Sequence, residues 1–238
     1  LAGHMKAVSR KKMVRRGAAN PVFLSGIAVD QTTGRLYICN ESDGHVWVVN
    51  PKDYSIDHQI DAGDYPYTCV LTADGRRLYV SNWGDRSVSA INLASDQQQH
   101  RIPVGVRPNE MTIAPDGRLF VACAGDNTVS VIPTRGREPK DEVMSEKAPP
   151  AANAMEIIAT SLYPNAPEGS TPDGVAISAD GKALFVANAD NNDVMVVDIS
   201  DPKVSKVVGF VPSGWYPTAV ACAGKTLLVA SGKGLGNF

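Results

Sequence analysis

No stretch of this chain is apolar for long enough to span a bilayer, and no apolar core of an export signal is present. Histidine is scarce. His4, His45, His58 and His100 are scattered, without the spacing of metal ligands. Cysteine is scarce too, and Cys39, Cys69, Cys123 and Cys222 never form a Cys-x-x-Cys pair. That excludes the usual zinc and redox motifs and leaves buried thiols acting as small apolar side chains. A nucleophile elbow, a Walker loop and a dinucleotide fingerprint are all missing. Gly232-Lys233-Gly234 is too short for a phosphate loop and follows a strand with no helix behind it. Helical periodicity is missing as well. The apolar runs are short and end at Gly, Pro, Asn or Asp, as strands and turns do.

What the chain does have is a repeated phrase. A Pro-led turn precedes a short apolar strand, then an Asp-Gly hairpin, a Leu-aromatic-Val strand, a polar turn and a third strand. It runs from Tyr65-Pro66 to Leu78-Tyr79-Val80-Ser81-Asn82, and from Arg107-Pro108 to Leu119-Phe120-Val121. It returns from Thr171-Pro172 to Leu184-Phe185-Val186-Ala187-Asn188, and from Tyr216-Pro217 to Leu227-Leu228-Val229-Ala230. A Pro-poor copy passes through Gly26 to Leu36-Tyr37-Ile38-Cys39-Asn40. The repeat prolines stand 42, 64 and 45 residues apart, so the long interval holds an insertion. A period near ~40–45 residues with several short strands per unit is the signature of propeller blades.

The expected fold class is therefore all-β: a β-propeller of four-stranded blades, with four whole repeats and a partial fifth. Strands are expected near 67–71, 78–82 and 87–92 and at their repeats, with an outer strand over 98–104. Inner strands such as Val175-Ala176-Ile177 and Ala219-Val220-Ala221 are apolar and small, as strands covered on both faces near an axis must be. The chain reads as a fragment or an incomplete ring. A five-bladed ring is the competing reading and needs an outer strand from near Lys11 to Arg16.

Residues 1–10 read as an N-terminal tail in which Gly3-His4-Met5 looks like a cloning scar, and residues 11–238 as one propeller segment. The formal net charge of −2 hides an asymmetry. Residues 1–20 hold six of the 23 Lys and Arg and no acid, which leaves −8 on the rest. An acidic body speaks against nucleic acid as a partner. The insertion, about 134–153, is rich in Pro, Lys and Glu and reads as a mobile loop between the third and fourth strands of its blade.

The segments Leu78 to Asn82 and Leu184 to Asn188, each after an Asp-Gly hairpin, resemble the YVTN repeats of bacterial β-propellers. Pro164 to Asp173, Gly214 to Val220 and Gly232-Lys233-Gly234-Leu235-Gly236 resemble a narrower YncE-like family. In that family a propeller precedes an alkaline-phosphatase-like phosphoesterase domain. The resemblance implies seven blades, a periplasmic or secreted location, and a catalytic domain that this stretch of sequence does not contain. The last repeat departs from the pattern, with Ala223-Gly224-Lys225 in place of Asp-Gly.

Blade geometry gathers Tyr65, Trp83, Arg86, Arg107, Trp215 and Tyr216 on one face, in the turns that lead into first strands and join second to third strands. Aromatics and arginines on loops are the usual material of binding hot spots. The tyrosines have an alternative use, packing over their own prolines at blade junctions. Asp190-Asn191-Asn192-Asp193 reads as an Asn- and Asp-rich hairpin connection, because it lacks the central Gly and closing Glu of a calcium loop. No catalytic residue, metal or cofactor is assigned. The expected role is a non-catalytic binding platform for a protein, glycan or small ligand, with a phosphoesterase domain or another propeller segment as further partners. The alternatives are a lactonase-like enzyme with a channel metal, against which the small, apolar inward run speaks with Glu110 as its main exception, and a structural surface-layer module.

Overall fold

The computed structural model describes residues 22–134, 156–163 and 169–234. They form eighteen strands, every paired neighbour antiparallel, and no helix. Blade 1 comprises β1 (Leu24–Val29), β2 (Leu36–Asn40), β3 (His45–Val49) and β4 (Ile56–Asp61). Blade 2 comprises β5 (Pro66–Leu71), β6 (Arg77–Asn82), β7 (Ser87–Asn92) and β8 (Gln97–Pro103). Blade 3 comprises β9 (Pro108–Ile113), β10 (Arg118–Cys123), β11 (Thr128–Pro133) and β12 (Glu156–Ala159). Blade 4 comprises β13 (Pro172–Ile177), β14 (Ala183–Asn188), β15 (Asp193–Asp198) and β16 (Lys206–Pro212). A fifth, two-stranded sheet pairs β17 (Pro217–Ala223) with β18 (Thr226–Ser231). The expected β-propeller of four blades and a partial fifth is what the chain builds.

Each blade is a meander closed by local chemistry. In blade 2 the Thr72 hydroxyl donates to the Asp74 carboxylate (2.6 Å), which also accepts from the Arg76 amide (3.1 Å), while Gly75 takes φ 66°. Ser178 and Asp180 repeat the hydroxyl contact at 2.6 Å in blade 4. These bonds lower the carboxyl values of Asp74 and Asp180, the hydroxyl contact foremost. Blade 5, lacking Asp-Gly, closes more tightly. Ala223 pairs with Thr226 and leaves a two-residue turn, with Gly224 at φ 60°.

Strand alternation explains why the blades stack. Leu78 and Val80 of β6 face Tyr37, Cys39, Val46 and Cys69 in a core shared with blade 1. Tyr79, between them, faces Met111, Leu119 and Val121 in a core shared with blade 3. On β10 the assignment repeats: Phe120 and Ala122 pack with Val175, Leu184 and Met195 of blade 4. Successive side chains point to opposite faces, and here both faces meet a neighbouring sheet, so the strand is apolar throughout. A fully buried Leu, Phe or Val contributes roughly 1.5–3 kcal/mol, so each inter-blade core outweighs any single surface bond.

The inner strands β1, β5, β9, β13 and β17 contact one another in succession. Two glycines let them approach. A Cβ on Gly26 would stand 2.4 Å from the Thr68 Cα, and one on Gly174 would stand 2.9 Å from the Ala219 Cα. The two ends of the series carry exposed apolar residues: Phe23, Leu24, Ile27 and Val29 at blade 1, and Val208, Val211, Leu228 and Val229 at blades 4 and 5.

Some expectations shift. The outer strand of blade 2 begins and ends one residue earlier than expected. Cys39, Cys69 and Cys123 are buried free thiols, but Cys222 is half-exposed on the last sheet, whose outer side has no described neighbour. The insertion, about 134–153, falls between β11 and β12 as expected, and residues 135–155 lie outside the described residues, as do residues 1–21 and 164–168.

Candidate functional site

The face expected to bind is organised by backbone that L-residues rarely adopt. The residues before the four blade-leading prolines, Tyr65, Arg107, Thr171 and Tyr216, all have positive φ, between 49° and 59°. In the second-to-third-strand turns Arg86, Asn127 and Asn192 do the same, with Gly44 in blade 1. Each such residue costs energy, and the surrounding bonds hold it there. The Trp83 amide donates to the Tyr65 carbonyl oxygen (2.9 Å), the Ala124 amide to that of Arg107 (3.0 Å) and the Gly232 amide to that of Tyr216 (2.7 Å). Side chains lock neighbouring blades. Asn127 Oδ1 accepts from the amides of Gly169, Ser170 and Thr171 at 2.9–3.3 Å, and Asn192 Oδ1 accepts from the Tyr216 amide at 2.8 Å. The Asp190-to-Asp193 turn thus ties blades together. Asp190 Oδ2 accepts from the Thr171 hydroxyl at 2.6 Å, and Asp193 Oδ1 accepts from Asn188 Nδ2 at 2.9 Å.

On this frame the expected residues fall into two groups. Tyr65 and Trp83 meet edge to face with centroids 6.5 Å apart, and the Arg107 guanidinium lies 5.0 Å over the Trp83 ring. Trp215 and Tyr216 form the second group, joined by Lys233, whose ammonium is 4.1 Å from the Tyr216 centroid and 5.5 Å from that of Trp215. Tyr65, Trp83, Arg107 and Trp215 are exposed, and Tyr216 is half-buried. Arg86 is exposed in the same turn as Trp83 but has no ring contact among the described residues. In the sequence Lys233 stands within Gly232-Lys233-Gly234, and nothing in the spacing marks it as the cation of Trp215 and Tyr216.

A third group was missed. The inner strands were expected to be apolar with Glu110 as the exception. At their entry they instead carry Tyr67, Asn109, Glu110 and Asp173, with Glu41 in the turn between β2 and β3 of blade 1. Asn109, buried, donates from Nδ2 to Asp173 Oδ1 at 2.6 Å. Burial pushes the Glu110 and Glu41 carboxyls up. Burial also raises Asp173, aided by the charge of Asp190 and opposed by the Asn109 bond. The Tyr67 hydroxyl is raised by burial first and then by the charges of Asp173, Glu41 and Glu110, which brings these groups from four blades into one electrostatic neighbourhood. Burial and the charges of Asp173 and Asp190 raise Tyr216 in the same way. The available signal was positional: the residue after each blade-leading proline is Tyr67, Asn109, Asp173 or Thr218, polar within otherwise apolar runs.

Among the described residues no three of His, Cys, Asp and Glu come together closely enough to hold an ion. The three carboxylates belong to separate blades, and hard cations need converging oxygens.

The family model of the choice-of-anchor I domain matches residues 18–219. No curated protein matches the chain. Among solved structures it is similar to a functionally unknown protein from Desulfotomaculum acetoxidans DSM 771, at 13% identity and TM-score 0.70 over 87% of this chain and 62% of that one. It is similar to a candidate 6-phosphogluconolactonase from Bacteroides uniformis ATCC 8492, at 15% identity and TM-score 0.68 over 86% and 62%. A catalytically inactive virginiamycin B lyase from Staphylococcus aureus with quinupristin is similar at 16% identity and TM-score 0.64 over 90% and 64%. The chain spans less than two thirds of the length of each, and at these identities the likeness is one of fold. The family match runs through all four complete blades and into the fifth, so the chain belongs to the choice-of-anchor I domain family.

Proposed function

We propose that the chain is a non-catalytic propeller platform whose turn face binds a protein, glycan or small ligand. The observation that carries this reading is the pair of exposed aromatic–cation groups, Tyr65–Trp83–Arg107 and Trp215–Tyr216–Lys233, held on one face by positive-φ backbone. A rigid scaffold that presents large aromatics pre-organised needs little further ordering to bind. Family membership indicates an extracellular or cell-surface protein. A periplasmic setting and partnership with a phosphoesterase domain are the finer parts of the proposal, and they rest on the narrower resemblance. The exposed apolar residues at both ends of the blade series support a further propeller segment as a partner, since closing a ring covers such surfaces.

The lactonase-like alternative has carboxylates where it needs them, but their spread across blades favours binding over a channel metal. The two readings separate in one experiment. Trp47 is buried whereas Trp83 and Trp215 are exposed, so ligand-induced fluorescence changes report the turn face. A panel of oligosaccharides and peptides should give a saturable change that Trp83→Ala abolishes. The same preparation should show no turnover of lactones or phosphoesters with divalent metals added. Turnover would sink the proposal, and so would a panel in which no member perturbs either tryptophan.

A further inference from the structure

We propose that the axial mouth lined by Glu41, Asn109, Glu110 and Asp173 is a second site, which binds an organic cation carrying several N–H donors: a guanidinium or ammonium group. The site is distinct from the Tyr65–Trp83–Arg107 group on the same face, whereas Tyr216 of the other group stands within reach of the Asp173 charge.

Three observations converge. First, Glu41, Glu110 and Asp173 form no ion pair with any lysine or arginine among the described residues. The negative charge at the mouth is thus uncompensated while partly removed from water, an arrangement that invites a cation. Second, two acceptors there lack donors. Asn109 is 5% exposed, and its Oδ1 has no partner. Its Nδ2 is fixed on Asp173, so the oxygen, on the same planar head, belongs to the same cluster. Turning the amide over would set that oxygen against a carboxylate, so the orientation is dictated. Glu41 Oε1 is also buried without a donor. The Ser25 hydroxyl donates to the Pro66 carbonyl oxygen at 3.0 Å and also lies within hydrogen-bond reach of this carboxylate, which it lowers against the burial. Third, the walls suit an organic group. Tyr67 stands among these charges and is 37% exposed, and aromatic faces attract guanidinium and ammonium groups.

The choice of an organic cation over a metal follows from geometry. A metal ion needs its oxygens within one coordination sphere, and the described acids do not supply one. A guanidinium spreads five N–H donors over a plane and can serve acceptors on separate elements at ordinary hydrogen-bond distance.

The test is calorimetric titration of the whole chain with agmatine, which carries a guanidinium and an ammonium. One saturable site is expected, weakening as salt is raised. Glu110→Gln and Asp173→Asn should each weaken binding at least about tenfold, the scale on which buried charge pairs are lost. Glu110→Asp, which keeps the charge, should retain more affinity than the Gln variant. Glu110→Gln removes a poorly solvated charge, so it should fold at least as stably, and a thermal melt confirms that lost binding is not lost structure. Trp83→Ala should leave agmatine binding unchanged, which keeps this site's fate separate from that of the aromatic groups. The proposal is overturned if neither agmatine nor spermidine binds saturably, if Glu110→Gln binds as tightly as the unaltered chain, or if calcium binds stoichiometrically and excludes agmatine.

Discussion

The Arg107 guanidinium, on the linker into blade 3, lies 5.0 Å over the ring of Trp83 in a turn of blade 2. One blade thus caps an aromatic of its neighbour at the surface. Exposed cation–π contacts contribute roughly 0.5–1 kcal/mol, far less than an inter-blade core. Trp83→Ala and Arg107→Ala should therefore leave the melting temperature nearly unchanged. Each should weaken a turn-face ligand by more than the ~1 kcal/mol of an ordinary interface position. Melting curves beside binding isotherms decide the matter. Unfolding without a specific binding defect would make the pair junction packing instead.

Asn127 is expected to matter more for stability than any residue on that face. It accepts three backbone amides of the linker into blade 4, is itself buried, and holds φ 57°. Asn127→Ala leaves those amides without their acceptor and places a less tolerant residue at positive φ. The loss should be about 1–3 kcal/mol, read from the urea midpoint. Asn127→Asp keeps an acceptor and should lose much less. Equal losses would show that the acceptor is not what matters.

The raised Glu110 carboxyl has a defined sign. The folded chain holds that proton more tightly than the unfolded chain does, so stability falls as pH rises from the ordinary glutamate value through the raised folded value. Glu110→Gln should therefore raise the melting temperature at neutral pH, and the gain should vanish in acid below the ordinary glutamate range. The hairpin aspartates act oppositely. Asp74 and Asp180 are lowered, so their contribution is present above the ordinary aspartate value and is lost as pH falls through the lowered one. A Glu110→Gln gain that persisted unchanged at pH 3 would contradict the assignment.

Thiol reactivity should divide one against three. Burial pushes Cys123 up to about 11, and the Cys69 contact followed by burial raises Cys39; burial raises Cys222 too, but that thiol is half-exposed. With a thiol reagent at pH 8, Cys222 should react first and the other three only on the timescale of unfolding. Rapid labelling of all four would mean that the inter-blade cores open readily.

Removing Arg137 to Ala151 should leave fold and melting temperature nearly as they are. The insertion's two ends are tied down independently of it: the Thr134 hydroxyl donates to the Gly117 carbonyl oxygen at 2.6 Å, and Glu156 accepts from Ser205 at 2.7–2.8 Å. Loop length enters closure entropy only logarithmically. A fall of several degrees on deletion would show that the insertion packs against the blades.

The architecture was legible in the sequence because a blade cannot bury its faces alone. The demand for neighbours on both sides wrote itself into every copy, as in the Leu-aromatic-Val core of Leu78–Val80 and Leu184–Val186. The hairpins were legible for the same local reason, since Asp74-Gly75 carries its own turn chemistry. The face of Trp83, Arg107 and Trp215 followed once strand order placed its turns. The partner of each ring did not follow, because it comes from another blade in one group and from Lys233 at the end of the last strand in the other. The axial mouth was least legible. Glu41, Asn109, Glu110 and Asp173 are unremarkable polar residues in two different repeats and a turn of a third, separated by up to 132 positions. Only the stacking of the blades sets Asn109 on Asp173 and brings the charges of Glu41, Glu110 and Asp173 to bear on Tyr67. A repeat determines its own unit from local pattern, whereas what gathers at the axis depends on which unit stands beside which.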